Sequence, residues 1–217
     1  MKKILLSLAC VASVFSMSAQ RASDSEATFF DSSKPEKLIH LGVRAGLNVS
    51  SFTGDLGEDM DSKCGFIGGI SVDFALMQSF YINSGVFFSM QGAKYDEDGY
   101  KLTYNPMYIK IPVMASYRYN FNEDLQWQLN FGPYFAFGVA GKAKLEMNGY
   151  DDEKIDFFGD DDDQLGGKRF DMGLGIGTGI TWNKIFLGIE YDFGLTKVVK
   201  DVKGKNSNFS VSLGYNF

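Results

Sequence analysis

The sequence predicts an all-β fold, an eight-stranded antiparallel up-and-down transmembrane β-barrel, on three observations. Eight segments alternate large apolar residues with small or polar ones, which is the two-residue period of a β-strand. The connections between these segments are long and short in strict alternation, as in barrels whose two ends differ. The chain holds 20 Phe, 11 Tyr and 25 Gly but only 4 Pro, a composition that favours sheet over helix.

The first 19 residues predict a secretory signal peptide, because a basic start and an apolar run precede a small residue at Ala19. The run is too short for a membrane-spanning helix. Cleavage of a lipoprotein at Cys10 is the alternative, and Ser7 counts against it because a lipobox has leucine there. A polar segment follows at 20–37, which we expect to lie in the periplasm, and the barrel is predicted to occupy 38–217.

Charge and cysteine content narrow the range of partners. Removal of the signal peptide takes away Cys10 and leaves Cys64, so no internal disulfide is expected. The formal net charge of -6 becomes -8 once the two lysines of the signal peptide are removed. A chain this acidic is not expected to bind nucleic acid.

The eight strands are predicted from their alternation and the turn residues between them. We place them at about 38–52, 64–76, 79–93, 104–120, 124–140, 169–182, 185–197 and 207–217. Long polar loops are expected at 53–63, 94–103, 141–168 and 198–206, and short turns near 77–78, 121–123 and 183–184. An even number of strands puts both termini at the end with the short turns.

The shortest turn tests the register of the last strands. A two-residue turn at 183–184 makes Trp182 and Ile185 the last cross-strand pair, so both must face the same side. Both continue apolar rows, while the opposite rows carry glycines and charges. A soluble lipocalin-type barrel, the alternative, would enclose the apolar rows and expose the other face. A lipid-facing exterior around a polar interior accounts for both faces.

Two prolines interrupt this pattern. Pro112 and Pro133 lie inside the fourth and fifth predicted strands, where proline removes a donor of the ladder. We expect β-bulges there, which leaves open whether Ser116 and Arg118 point inward.

Several segments, taken in order, resemble a known family. They are "LGVRAGLNVSSFTGD", "NPMYIKIPVMASYRYNF", "NFGPYFAFGVAGK", "IEYDFGLTKV" and the terminal "NFSVSLGYNF". The chain resembles the PorT-like outer-membrane β-barrel family over nearly all of its mature length. The resemblance implies an eight-stranded barrel in a Gram-negative outer membrane, and a terminal aromatic, Phe217 here, similar to the signal that the barrel-assembly machinery accepts. It implies little about activity, although the founding member assists a secretion system.

Ionisable residues on the inward rows form the main candidate site. They are Arg44, Asp73, Lys110, Arg118, Asp171, Glu190 and Asp192. Because side chains can fill an eight-stranded barrel, we expect these three bases and four acids to form a paired plug. We expect Arg44 to be the partner of Glu190. A proton- or ion-conducting lumen is the alternative.

The long loop "YDDEKIDFFGDDDDQLGG" is strongly acidic. Its densest carboxylates, Asp160, Asp161, Asp162 and Asp163, suit a hard cation such as calcium. Their spacing is not that of an EF-hand, and acidic runs are usually solvated. The last loop is basic, with Lys200, Lys203 and Lys205, so attraction between the two loops is an equally good interpretation.

No residue pattern indicates catalysis or a cofactor. The single histidine, His40, is expected to point inward at the short-turn end, away from the loop-side rim where outer-membrane enzymes hold acid–base groups. The row "GLGIGTG" at 173–179 lacks the strand-turn-helix context of a phosphate loop. We therefore expect no enzyme and no cofactor.

The sequence leaves the biological role open. We expect a monomer in contact with outer-membrane lipid and the barrel-assembly machinery, with a structural or surface-interaction role through its long loops. The alternative is an accessory component of a secretion or envelope-assembly machine, contacted through its periplasmic turns and the segment 20–37.

Overall fold

The computed structural model describes residues 30–54, 60–97, 100–147, 153–158, 164–199 and 204–217. These residues form eleven strands in one sheet. The strands are β1 (Ile39–Thr53), β2 (Asp61–Ala75), β3 (Phe80–Met90), β4 (Ala93–Glu97), β5 (Tyr100–Asn120), β6 (Leu125–Met147), β7 (Glu153–Phe158), β8 (Gln164–Gly167), β9 (Phe170–Trp182), β10 (Ile185–Gly194) and β11 (Lys205–Asn216). Among the described residues, no helix is long and apolar enough to cross a membrane.

Eight of the strands close a barrel. The antiparallel order β1-β2-β3-β5-β6-β9-β10-β11 returns to β1, which pairs with both β2 and β11. The predicted eight-stranded fold is therefore confirmed. The short strands β4, β7 and β8 extend the wall at the end where the long loops were predicted.

The long loops contain more regular structure than the sequence indicated. The segment 94–103 forms most of a β4–β5 hairpin, and β6 continues to Met147 inside the predicted loop 141–168. The short turn at 183–184 matches its prediction, since Trp182 pairs with Ile185. Asn183 adopts a φ of 55°, a left-handed conformation that asparagine tolerates in a tight turn.

The two faces of the strands lie as the alternation predicts. On β11, Leu213 is 60% exposed on the outer surface, whereas Ser210 on the inward row is 4% exposed. The same contrast holds on β1, where Leu47 is exposed and Asn48 is buried. Ser116 and Arg118 also point inward and are buried. The outer surface is thus an apolar band and the interior is polar.

The bulges predicted at the two prolines are wrong. The β5–β6 pairing keeps one register from Tyr108↔Gly138 through Pro112↔Tyr134 to the turn, and the register shift lies between Met107 and Tyr108. Pro112 leaves an unpaired step against β3, where Ser84 donates a hydrogen bond to the Pro112 carbonyl (2.8 Å). The missing N–H of Pro112 is therefore accommodated by skipped pairs in the β3–β5 ladder, without an extra residue in either strand.

The segment before the barrel packs against the short-turn end. Ser79 and Asp31 exchange two hydrogen bonds, and the Gln78 N–H donates to the Ser33 carbonyl. Hydrogen bonds from the side chain and the backbone N–H of Ser33 hold the pKa of Asp31 below its ordinary value. Phe30 stacks against Phe80 at 6.0 Å between ring centroids. Residues 30–37 therefore form an ordered cover on one side of this end.

Candidate functional site

The inward charges are arranged in layers along the barrel, and the first layer lies near the short turns. Arg118 forms an ion pair with Asp73, with 2.6 Å between Nη2 and Oδ2, and Arg44 lies 4.0 Å from the same oxygen. Asn83 also donates a hydrogen bond to Asp73. The Arg118 guanidinium lies over the Tyr81 ring, 4.0 Å from its centroid. One buried carboxylate thus holds two guanidiniums.

The second layer centres on Lys110, which is 1% exposed. Its Nζ lies 2.7 Å from Glu190 Oε1 and 2.5 Å from Asp192 Oδ2. Asn208 donates a further hydrogen bond to Asp192 at 3.2 Å. The predicted pairing of Arg44 with Glu190 is wrong, because the stagger of the strands brings Lys110 of β5 opposite Glu190 of β10 instead.

The third layer surrounds Asp171 near the long-loop end. Its carboxylate accepts hydrogen bonds from Tyr134 (3.1 Å), Thr196 (2.5 Å) and Asn206 (2.9 Å). No salt bridge to Asp171 occurs within the described part of the chain. Neutral donors therefore stabilise this buried carboxylate.

An apolar cluster closes the interior above these layers. Its buried members are Phe52, Ala93, Tyr108, Tyr134, Ala136, Phe157, Phe158 and Val198. Phe157 is 0% exposed and Phe158 is 4% exposed, although β7 lies in the loop predicted to be acidic and solvated. Neither side chain was predicted to be buried from the sequence. The adjacent phenylalanines of "DFFGD", set among carboxylates, were the signal that could have found them.

The glycine row of β9 makes room for these large side chains. A Cβ at Gly179 would lie 2.7 Å from Cζ of Phe186, and one at Gly175 would meet the methyl group of Met114. The row "GLGIGTG" is therefore the crowded inner face of a strand, as predicted.

The first two layers leave a small cavity between them. A cavity of about 30 Å³ lies beside Arg44, Lys110 and Glu190. It has room for about two water molecules. The described interior is packed with side chains over most of its length.

The other predicted site residues lie apart from this network. The His40 ring is within hydrogen-bond distance of the Lys37 carbonyl (Nε2 to O, 3.1 Å) at the short-turn end. Asp160, Asp161, Asp162 and Asp163 lie outside the described residues, as do Lys200 and Lys203. Within the described ranges, no group of three His, Cys, Asp or Glu residues is arranged to hold a metal ion. Phe217 is exposed, and its N–H donates to the Leu41 carbonyl (2.9 Å).

Comparisons with known proteins find outer-membrane proteins. A family model described as "Outer membrane protein beta-barrel domain" matches residues 19–200. Among solved structures, Neisserial surface protein A has 16% identity and a TM-score of 0.46, with 82% of this chain and 97% of that chain covered. Ail of Yersinia pestis has 16% identity and a TM-score of 0.41, covering 83% and 100%. OprG of Pseudomonas aeruginosa has 11% identity and a TM-score of 0.39, covering 83% and 97%. No curated protein matches the sequence.

Proposed function

The chain belongs to the outer membrane protein beta-barrel domain family, and from this premise we propose that it is a closed, non-conducting and non-enzymatic barrel that displays its long loops at the cell surface. It is a small outer-membrane β-barrel protein. Its proposed role is structural or one of surface interaction, carried out as a monomer embedded in outer-membrane lipid.

The filled interior is the observation that supports a non-conducting barrel. The ion pairs of Lys110 and Arg118 and the hydrogen-bonded Asp171 occupy the lumen, and Phe157 covers it at the long-loop end. A water path through these layers would need the buried charges to separate, and a buried charge without its partner is destabilising. That destabilisation favours a permanent plug over a gate.

Electrical recording in planar bilayers tests this proposal. We expect the refolded mature chain to insert without producing discrete conductance steps, because the ion pairs of Lys110 and Arg118 and the hydrogen-bonded Asp171 occupy the described lumen. Regular single-channel steps that persist in the pure protein would overturn the non-conducting reading and favour the ion-conducting alternative.

The loops are proposed to carry the interaction. The predicted signal peptide would deliver the chain to the periplasmic side, so we expect the short turns to stay in the periplasm and the long loops to face outward. The acidic residues of 151–168 would then be free to meet cations, the basic last loop or a partner protein.

A role within a secretion or envelope-assembly machine is the second candidate, and the ordered segment 30–37 favours it. This segment is fixed by the Asp31–Ser79 hydrogen bonds and by the stacking of Phe30 on Phe80. It would offer a partner an ordered periplasmic surface. A pull-down of the tagged chain from solubilised envelopes tests this role, since a machine component should bring stoichiometric partners. Replacing residues 30–37 with a Gly-Ser linker should abolish that capture.

We propose two finer assignments. The segments quoted above support placing the chain among PorT-like barrels. Phe217 is proposed to be the residue that the barrel-assembly machinery recognises. Deleting Phe217 should lower the yield of assembled barrel in cells while leaving refolding in detergent unchanged, because only the cellular route needs the signal.

A further inference from the structure

The barrel wall changes partners between β6 and its neighbours near the long-loop end. β6 pairs with β9 as far as Phe137↔Phe170 and pairs with β7 from Lys142↔Asp156 onward. Residues 138–141 are outside both ladders, although the Gly138 N–H still donates to the Arg169 carbonyl (2.6 Å), and the β5–β6 register shift lies opposite them. From 139 to 141, β6 therefore lacks a ladder partner on the side that faces β9.

Phe158 closes the interruption. Its ring lies against the α-carbons of Gly138 and Gly141 and makes an edge contact with Tyr108, 5.6 Å between ring centroids. A Cβ at Gly138 would collide with this ring, whereas one at Gly141 would lie 3.1 Å from it and 2.9 Å from the Pro106 α-carbon. The interior therefore stays sealed while the outer surface keeps a recess.

The recess is a groove of about 410 Å³. Met107, Val139 and Ala140 form an apolar part of its lining, and Lys142, Asp156 and Arg169 form a charged part. A volume of this order suits a small molecule or part of a lipid. A stable protein interface would bury a much larger surface than this groove offers. The lining divides into an apolar part and a charged part, as an amphipathic ligand requires.

The position of the groove along the barrel axis indicates that it lies at the membrane interface. Phe137 and Phe170 lie directly next to it along their strands, and both are exposed members of the outward apolar band. Beyond the groove the outward position on β6 is Lys142. Lipid phosphates lie where the apolar band ends, so the basic side chains are at phosphate depth.

Arg169 is held in a suitable position. Its Nη1 donates to the Gly138 carbonyl at 3.1 Å, and its guanidinium lies over the Phe158 ring, 5.5 Å from the centroid. A guanidinium has five N–H donors, so most of them remain for a ligand oxygen, and a fixed plane suits the bidentate binding of a phosphate. Lys142 adds a second positive charge, and Asp156 is the one carboxylate among the described lining residues.

We propose that this groove binds a phosphate-bearing lipid from the adjoining membrane leaflet. The phosphate would contact Arg169 and Lys142, and the glycerol end of an acyl chain would lie on Met107, Val139 and Ala140. The inference rests on the proposed embedding of the barrel in the outer membrane. It adds a specific lipid site to a surface that otherwise meets lipid only through its apolar band.

The test uses the full mature chain, refolded in non-ionic detergent and titrated with dioleoyl phosphatidic acid or with dioleoylglycerol, which lacks the phosphate. Native mass spectrometry counts the bound lipid. We expect one phosphatidic acid to bind well before others and dioleoylglycerol to bind far more weakly. The double variant Lys142→Gln/Arg169→Gln should weaken phosphatidic acid binding by about tenfold or more, since it removes both charge-assisted contacts.

Two control variants distinguish lipid binding in the groove from general attraction of the lipid to positive charge. Lys205→Gln makes the same change at an outward position on β11, on the same rim but outside the groove, and should alter binding by less than about twofold. Ala140→Trp fills the groove without changing its charge and should weaken binding as the double variant does. Retention of the folded, heat-modifiable band on electrophoresis shows that each variant still forms a barrel.

Three results would overturn the proposal. They are equal binding of the two lipids, unchanged binding in the double variant, and competition by millimolar inorganic phosphate, which would indicate a site for soluble anions. The assay in detergent does not depend on which loops face outward. A failure here therefore leaves the surface-display proposal intact, and protease treatment of intact cells tests that proposal separately.

Discussion

Replacing Lys110 with Met should be among the most destabilising changes in the barrel interior. Lys110 is 1% exposed and is the cation nearest to two carboxylates, at 2.7 Å from Glu190 and 2.5 Å from Asp192. Methionine keeps the volume, so the loss is one of charge. Removing one partner of a buried pair costs about 3–5 kcal/mol. Because two acids are left without their cation, we expect a value in the upper part of that range.

Removing one of the two carboxylates should lower the free energy of unfolding less than removing the cation does. Asp192→Asn leaves Lys110 paired with Glu190, whose side chain is partly exposed, so no buried charge is left alone. We expect about 1–3 kcal/mol for this variant. The triple variant Lys110→Met/Glu190→Gln/Asp192→Asn removes the charges together and should recover much of the stability lost in Lys110→Met.

Urea unfolding in phospholipid vesicles measures these differences. The fluorescence of Trp127 and Trp182, which both lie near the short turns, reports unfolding without altering the lumen. Lys184→Met at the exposed turn serves as the control and should change the free energy of unfolding by less than about 0.5 kcal/mol. A triple variant no more stable than Lys110→Met alone would refute the claim that unpaired charge causes the loss.

The remaining predictions concern the outer face, the wall and the loops. Val211→Arg should impair insertion by about 2–4 kcal/mol because Val211 pairs with central residues of β1 and β10, and Leu213→Arg, closer to the short turns, should cost less. Insertion into vesicles measures both, and equal costs would contradict the depth argument. Phe158→Ala should lower the free energy of unfolding in urea by about 3–5 kcal/mol because it empties a buried site between glycines that cannot fill it. Protease added to intact cells should cut within 151–168 and spare the barrel, whereas cleavage seen only after the outer membrane is opened would reverse the proposed orientation.

Local patterns were enough to predict the barrel wall. Alternation fixes which side chains share a face, because successive residues of a strand point to opposite sides whatever the strand packs against. The two-residue turn at 183–184 then fixes the register of β9 and β10, since Trp182 and Ile185 must pair. For this reason the inward set that includes Arg44, Lys110 and Asp192 could be named from the sequence alone.

Partners across the lumen could not be predicted in the same way. Whether Glu190 meets Arg44 or Lys110 depends on the height of each residue in the barrel, which the stagger accumulated over several strands determines. The bulge at Met107/Tyr108 contributes to that stagger, and it follows Pro106, not Pro112 or Pro133, the two prolines at which the sequence predicted bulges. Sequence patterns report the direction in which a side chain points but not its level relative to a strand on the opposite wall.

The sequence by itself determined the eight strands of the barrel, the two faces of each and the turn that joins β9 to β10, because those depend on neighbours along the chain or across one hairpin. Only the tertiary structure decided that Phe157 and Phe158 turn inward from an acidic loop, that Lys110 is shared by Glu190 and Asp192, and that the wall opens a groove beside Arg169. Each of these depends on closure of the barrel, which brings together residues far apart in the sequence. No local pattern specifies the relative positions of such residues.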